Sequence, residues 1–481
     1  MSTRPNVLFI CTDEWPGALL GCHGDSASQT PTIDFLARNG LDMRKAYSEC
    51  PVCIPARRCL MTGLSPRSHG DRVYSDTMRM PEATTMARAF SQAGWQTVAV
   101  GKLHVYPQRD RIGFDDVSLL EEGRCEFGVS DDYEIWLGER GHAGQEFLHG
   151  MGNNTYYTRP WHLGDDEHET SWTTMEAMRQ IARRDPTRPL FLYVSYCYPH
   201  PPLVPLQTFL DKHRDDVLSD PLTDDWPDEW VIRHFRDIAS CYSRKEMEDA
   251  RKAFLAQCTH IDYSIRMLIG SMREQGLIDN TVIVFMSDHG DMLFDHGMVA
   301  KRLFYEGSAH IPLIFSGRPV LKYTGMGLED RLIAIEDVMP TLMDICGLGD
   351  SVPEGIDGIS LLRQERSHIY GEISEGALAT RMVHDGRYKL IYYPAGNVFQ
   401  LFDLEADPGE SHDLARDHKH KSVLERLKRI LADELYSDDV NWIRNGEFAG
   451  FAPPDTPSEP NFGLLNQRGL HWPQPPAGYA H

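Results

Sequence analysis

Four apolar runs in this chain each end in residues that can move protons or bind cations. Asn6 to Thr12 leads into Asp13-Glu14, and Gln96 to Gly101 leads into Lys102-Leu103-His104. Pro189 to Tyr196 leads into Tyr198-Pro199-His200-Pro201-Pro202, and Thr281 to Ser287 leads into Asp288-His289-Gly290-Asp291. Asp13, Glu14, Asp288 and His289 form a donor set for one divalent ion. Their carboxylates suit Ca²⁺, Mg²⁺ or Mn²⁺, and the imidazole tilts the set towards transition metals. Such an ion would polarise a sulfuryl or phosphoryl oxygen and lower the pKa of an attacking hydroxyl.

A fifth stretch, Cys50-Pro51-Val52-Cys53-Ile54-Pro55-Ala56-Arg57-Arg58-Cys59, carries thiols and guanidinium groups together. Taken alone, Cys50-x-x-Cys53 with Cys59 is a redox pair or half a zinc site. Pro55 is tolerated in the first turn of a helix, which puts Cys53 near a helix N-terminus, where the dipole favours an anion. Arg57, four residues on, shares that face and can bind an anionic oxygen while balancing the carboxylates. Arg58 is expected in solvent.

The elements that must position these residues are strands. Apolar, β-branched runs alternating with helical patterns predict an α/β fold, a large mostly parallel or mixed sheet sandwiched by helices, over residues 1–365. Open α/β sheets bind ligands outside the carboxyl ends of their strands, so the four ends meet in one cleft. A Pro408-Gly409 turn followed by a helical stretch from Ser422 to Tyr436 marks a smaller α+β unit over 366–450. Residues 451–481 form a Pro-rich tail, whose Trp472 and Tyr479 suggest docking on the chain's own domain or on a second copy in a homo-oligomer.

The formal net charge of −23 over 481 residues speaks against nucleic acid or an anionic membrane as partner. An anionic substrate then needs a locally positive pocket. No run approaches the roughly 20 apolar residues of a membrane helix. The apolar part of the N-terminus is too short for a secretory signal, so the expected location is the cytosol. The ten Cys are scattered and form no disulfide framework.

Within the fifth stretch, Cys53-Ile54-Pro55-Ala56-Arg57 is a Cys-x-Pro-x-Arg pentapeptide. With Lys102-x-His104, the Pro-His200-Pro-Pro turn and Lys301 in Ala300-Lys301-Arg302, it resembles the type I sulfatases of the alkaline phosphatase superfamily. Further similarity lies in Thr30 to Ala37, Ile311 to Ile314, Asp337 to Leu342, Gly386 to Ile391 and Leu401 to Glu410. The resemblance implies an alkaline-phosphatase-like domain followed by a small antiparallel sheet with one packed helix. It also implies a maturation enzyme that oxidises Cys53 to formylglycine. By the family's mechanism the aldehyde hydrates, one hydroxyl attacks the sulfur of a small-molecule sulfate ester, and loss of a proton from the other releases sulfate.

The same resemblance assigns roles. Arg57 would bind an oxygen of the formylglycine hydrate. Lys102 would hold a sulfate oxygen, and His104 would be the base that restores the aldehyde. His200 and Lys301 would serve the leaving-group side. Asp13, Glu14, Asp288 and His289, with position 53 itself, would hold the metal, Ca²⁺ first. Glu14 stands where the family more often has Asp, which leaves the ion's identity open. Two other readings stay in view: a phosphonate monoester or phosphodiester hydrolase of the same superfamily, and a noncatalytic sulfate-ester-binding homologue. Residues 120–180, with Trp136, His149, Asn153, Asn154, Tyr156, Tyr157, Trp161, His162 and Trp172, form an insertion suited to shaping a pocket. His296 is close enough in sequence to Asp288-His289 to support them.

Overall fold

A computed structural model describes residues 4–75, 77–122 and 130–455. The strands, in chain order, are β1 (Asn6–Asp13), β2 (Gly40–Asp42), β3 (Lys45–Tyr47), β4 (Gln96–Gly101), β5 (Asp116–Leu119), β6 (Leu190–Pro199), β7 (Thr281–Ser287), β8 (Leu313–Ser316) and β9 (Leu332–Ala334). Seven form one sheet in the order β2-β8-β7-β1-β6-β4-β5, while β3 and β9 pair separately. The pairs β7-β1-β6-β4-β5 are parallel, and β8 runs antiparallel to both β7 and β2. The expected mostly parallel α/β sheet is therefore present, with one reversed strand making it mixed.

Period-two alternation along the strands divides the core into two layers. Leu8, Ile10, Val98, Val100, Leu192 and Val194 face helices Glu169–Arg183 and Arg244–Glu274. Val7, Phe9, Cys11, Ala99, Phe191 and Tyr193 face the other way, onto helices Cys53–Thr62, Met86–Gln92 and Val338–Ile345. The helix that carries Cys53 thus lies against the odd-numbered face of β1.

A second sheet of four antiparallel strands, β10 (Ile369–Ile373), β11 (Thr380–His384), β12 (Tyr388–Tyr393) and β13 (Val398–Asp403), follows. Helix Lys421–Glu434 packs Leu427 and Leu431 on Val383, Leu390 and Leu401. The sequence boundary near 365 falls just before β10. Most of the tail, including Trp472 and Tyr479, lies outside the described residues. No helix among the described residues is long and apolar enough to cross a membrane.

A buried ion network ties the two sheets together. Arg72, from the segment after the Cys53 helix, reaches Glu372 at 3.0 Å and Asp439 at 2.8 Å, and the fully buried Arg381 also binds Asp439 at 2.8 Å. Removing Asp439 would strand Arg381 without its carboxylate, and breaking a buried pair from one side costs about 3–5 kcal/mol. Asp439→Ala is therefore expected to lower the urea midpoint strongly. A midpoint within error of the parent would show the network to be energetically idle.

Candidate active site

β1 and β7 run in parallel register with Thr12 opposite Ser287. The next residue on each strand, Asp13 and Asp288, therefore emerges at the same edge, and the Asp288 amide donates to Thr12 O at 3.2 Å. Glu14 turns back at φ 73°, a left-handed conformation that costs a non-glycine residue free energy. Asp288 Oδ1 holds it there by accepting from the Glu14 amide at 3.3 Å, and Ser287 Oγ accepts from the Trp15 amide at 2.9 Å. β4 delivers Lys102 through Gly101, where φ is 97° and any Cβ would sit 1.9 Å from Ser195 O. Only glycine lets the two strands approach so closely before the chain turns.

Cys53 is the first residue of its helix and is buried, at 3% exposure. Its Sγ lies 3.3 Å from His289 Nε2 and 3.7 Å from Asp13 Oδ1. One turn on, Arg57 is also buried: Nε donates to Asp288 Oδ2 at 2.9 Å and one terminal nitrogen to Asp13 Oδ2 at 3.1 Å. The other donates to Ser195 Oγ at 2.9 Å and Lys102 O at 3.1 Å. The guanidinium therefore bridges the ends of β1, β4, β6 and β7, a task its fixed fork suits and an ammonium would not. Arg58, expected in solvent, is buried instead, with Nε 3.3 Å from Asp71 Oδ2. The helix packs on the sheet on one side and on the segment around Asp71 and Met78 on the other, so both arginine positions are enclosed.

Lys102 Nζ lies 2.7 Å from Asp13 Oδ2 and 2.7 Å from Glu122 Oε1. Glu121 Oε1 accepts from the Leu103 and His104 amides at 2.8 and 2.9 Å, pinning His104 at φ 58° with its ring edge-on to Tyr74. Lys301 Nζ donates to His200 Nε2 at 2.6 Å and to Glu14 Oε2 at 3.0 Å, with Asn154 Oδ1 at 3.5 Å. His200 Nδ1 lies 2.5 Å from Pro201 O. Its proton therefore sits on Nδ1, and Nε2 is left to accept from the ammonium.

The structure brings Asp13, Cys53, Arg57, Lys102, Asp288 and His289 into one cluster and Glu14, His200 and Lys301 into an adjoining one, with His104 on the same strand end as Lys102. Sequence reasoning missed Glu122, Glu121, Ser195 and Asp291. Glu121 and Glu122 follow β5 and Asp291 lies in a loop already singled out, so the strand-end rule that found the others reaches these three, whereas Ser195 lies inside β6 and carries no such signal. Of the insertion, Asn154 reaches Lys301, and Tyr156 donates to Asp291 Oδ2, while Trp161 and Trp172 are buried in packing. His296 turns away from the metal loop, pairing with Asp224 at 3.1 Å and stacking on Trp226 at 4.3 Å.

Burial raises the Cys53 thiol to about 11, and the Asp13 carboxylate pushes it the same way. Burial would also raise Asp13, but Lys102, His200 and Arg57 hold it well below the usual carboxylate range. Glu14 goes the other way: burial lifts it well above that range despite Lys301. Glu14 Oε1 is buried with no hydrogen-bond partner. Asp13, Cys53, Asp288 and His289 offer ligand atoms all within 4.8 Å of one another, and so do Asp13, Glu14 and His200. The carboxylates Asp13, Glu14, Glu122 and Asp288, with Glu121 and Asp291 beside them, outnumber the fixed cations Arg57, Lys102 and Lys301. A dication would satisfy the orphaned Glu14 oxygen and offset that negative excess, which suits an anionic ester. The donor set fits a hard divalent ion.

The sulfatase family profile matches residues 5–348. The chain belongs to the sulfatase family. A second profile, N-sulphoglucosamine sulphohydrolase, C-terminal, matches residues 294–436 of this sulfatase. An arylsulfatase of Clostridium perfringens is 33% identical over 456 residues, covering 90% of this chain and 94% of that one. A choline-sulfatase of Rhizobium meliloti is 28% identical over 438 residues, with 86% and 83% covered. The phosphonate monoester hydrolase of Agrobacterium radiobacter shares the fold at a TM-score of 0.72 and 21% identity, with 92% of this sulfatase and 98% of that chain covered. The molecule is thus a sulfuric ester hydrolase of the type I sulfatases within the alkaline phosphatase superfamily.

Proposed function

We propose that this sulfatase hydrolyses sulfate monoesters of aryl or small alkyl alcohols, using a formylglycine made from Cys53 and one divalent cation. The observation that carries the reading is the place of Cys53: first residue of a buried helix, 3.3 Å from His289 and 3.7 Å from Asp13, with Arg57 locking that helix to both strand ends. Burial and the Asp13 carboxylate raise the Cys53 thiol to about 11, which makes the unmodified side chain a poor nucleophile and favours its conversion. Once converted, position 53 would supply a hydroxyl nucleophile together with a second proton whose loss releases sulfate.

The residues around it divide the work. Asp13, Glu14, Asp288 and His289 would hold the ion, Ca²⁺ by the predominance of carboxylate, with Mg²⁺ or Mn²⁺ also compatible. Its chemistry there would be to polarise a sulfuryl oxygen and stabilise the attacking alkoxide. Arg57 orients position 53, and Lys102 neutralises developing charge on the sulfuryl group. His104 takes the proton when the aldehyde reforms. His200 and Lys301 share one proton across 2.6 Å, which makes the pair the source for the departing alcohol. The relatives, an arylsulfatase and a choline-sulfatase, support both alcohol classes proposed.

Three experiments test this. In protein from a host that carries the maturation enzyme, chelation should abolish 4-nitrophenyl sulfate hydrolysis, and Ca²⁺, Mg²⁺ or Mn²⁺ should restore it. Sulfate-ester turnover should exceed that of a phosphodiester or phosphonate monoester, and the reverse ratio would move the assignment to the phosphonate hydrolases. His200→Ala should slow alkyl sulfates by about 10²–10⁴-fold and 4-nitrophenyl sulfate much less, since 4-nitrophenolate leaves without a proton. Equal losses on both would remove His200 from the leaving-group role.

A further inference from the structure

Outside the catalytic cleft, a second group of ligand atoms gathers at the turn between β1 and the helix Pro31–Arg38: Cys22, His23 and Asp42, all half-buried and with ligand atoms within 4.8 Å of one another. The turn is built to hold them. The Gly21 amide donates to Thr30 Oγ1 at 3.0 Å and the Cys22 amide to Asp34 Oδ1 at 3.0 Å, while Gly24 closes it at φ 97°.

His23 Nδ1 lies 2.6 Å from Gly17 O and donates to it, which leaves Nε2 as the nitrogen that a proton or a metal ion can occupy. This arrangement, with a backbone carbonyl on one nitrogen, is the one that orients metal-bound histidines. Nε2 faces both oxygens of Asp42, each at 3.0 Å. Against the pull of burial Asp42 raises the His23 imidazole, so a proton joins these two groups and a metal ion would replace it. The geometric sign of more than a proton is the Cys22 thiol, a third donor within the same 4.8 Å; burial and the neighbouring Asp42 and Asp34 raise it, so a metal ion would displace its proton on binding. Arg44 contributes a positive charge nearby, which the two aspartates offset.

We propose that Cys22, His23 and Asp42 bind a borderline transition-metal ion of the Zn²⁺ type, separate from the cation of the catalytic cleft. One sulfur, one imidazole nitrogen and one carboxylate oxygen form a tetrahedral zinc set with one position open to water or Asp34. Tetrahedral edges are about 3.3–3.8 Å for such ligands, so small side-chain rotations close the site around the ion. The ion would join the loop after Glu14 to the end of β2 and so brace the chain leaving the catalytic carboxylates.

The test is a Co²⁺ titration of metal-free, full-length protein, read by thiolate-to-cobalt charge transfer in the near ultraviolet, followed by Zn²⁺ competition. The band should appear in Cys53→Ala, which removes the thiol of the other donor cluster, and should vanish when Cys22→Ser is added to that variant. His23→Gln should weaken Co²⁺ binding by at least about tenfold. Zn²⁺ should shield Cys22 from alkylation in the Cys53→Ala variant. Absence of the band in Cys53→Ala, or its survival in the double variant Cys53→Ala/Cys22→Ser, would overturn the proposal. Because none of these readouts uses ester hydrolysis, its failure is distinguishable from failure of the sulfatase mechanism.

Discussion

Cys53→Ala is expected to lower sulfate-ester turnover by at least about 10⁴-fold while the protein keeps its fold, the scale seen when a covalent nucleophile is removed. The alanine would keep the helix start, since Val52 caps it in extended conformation without a side-chain bond and Ala is the best helix former. The loss of one sulfur against Asp13 and His289 removes no hydrogen bond that the core depends on, so the urea midpoint should move little. Metal affinity should fall modestly, because position 53 is one donor among several. Residual hydrolysis near the parent rate would mean that water attacks directly, and that the charged cleft alone carries the reaction.

The second large effect is at Arg57. Arg57→Ala leaves Asp288 Oδ2 and Asp13 Oδ2 facing each other's charge in the interior, although Lys102 still holds Asp13. Breaking a buried pair from one side costs about 3–5 kcal/mol, and the expected readout is a fall in the urea midpoint together with loss of activity. Arg57→Lys restores the charge without the fork. An ammonium cannot reach Asp13, Asp288, Ser195 and the Lys102 carbonyl at once, so stability should return in part and turnover should not. The state of residue 53 must be measured on the same samples, because Arg57 belongs to the pentapeptide that the maturation enzyme would read. A lysine variant equal to the parent in both properties would show the bridging geometry to be dispensable.

Much of this site was legible because chemistry and topology point to the same places. Parallel strands end in a common edge, so Asp13, Lys102, His200 and Asp288, scattered over the chain, can be grouped from the sequence alone. The helix start at Cys53 and the helix at 31–38 were also readable, the first from Pro55 and the second from its likeness to the family. Burial was not readable. Arg58 looked like a surface residue because a second arginine beside Arg57 falls on another helical face, yet that face is covered by the Asp71 segment, a contact made across a turn that leaves no periodic signal. His296 failed for a related reason: nearness in sequence to Asp288 does not set direction, and the stack on Trp226 and bond to Asp224 come from residues some seventy positions earlier. The division of the metal donors was hidden too. Glu14 and Asp13 are adjacent, but the left-handed turn at Glu14 sends one carboxylate towards Lys301 and His200 and leaves the other against Arg57 and Lys102.

The measurement that tests the account most directly is peptide mass spectrometry across residue 53, on protein produced with a competent maturation enzyme and assayed for 4-nitrophenyl sulfate hydrolysis on the same preparation. The account predicts a peptide about 18 Da lighter than the cysteine form, with turnover proportional to the converted fraction across preparations. Protein that keeps an intact Cys53 thiol and still hydrolyses sulfate esters at the full rate would contradict it.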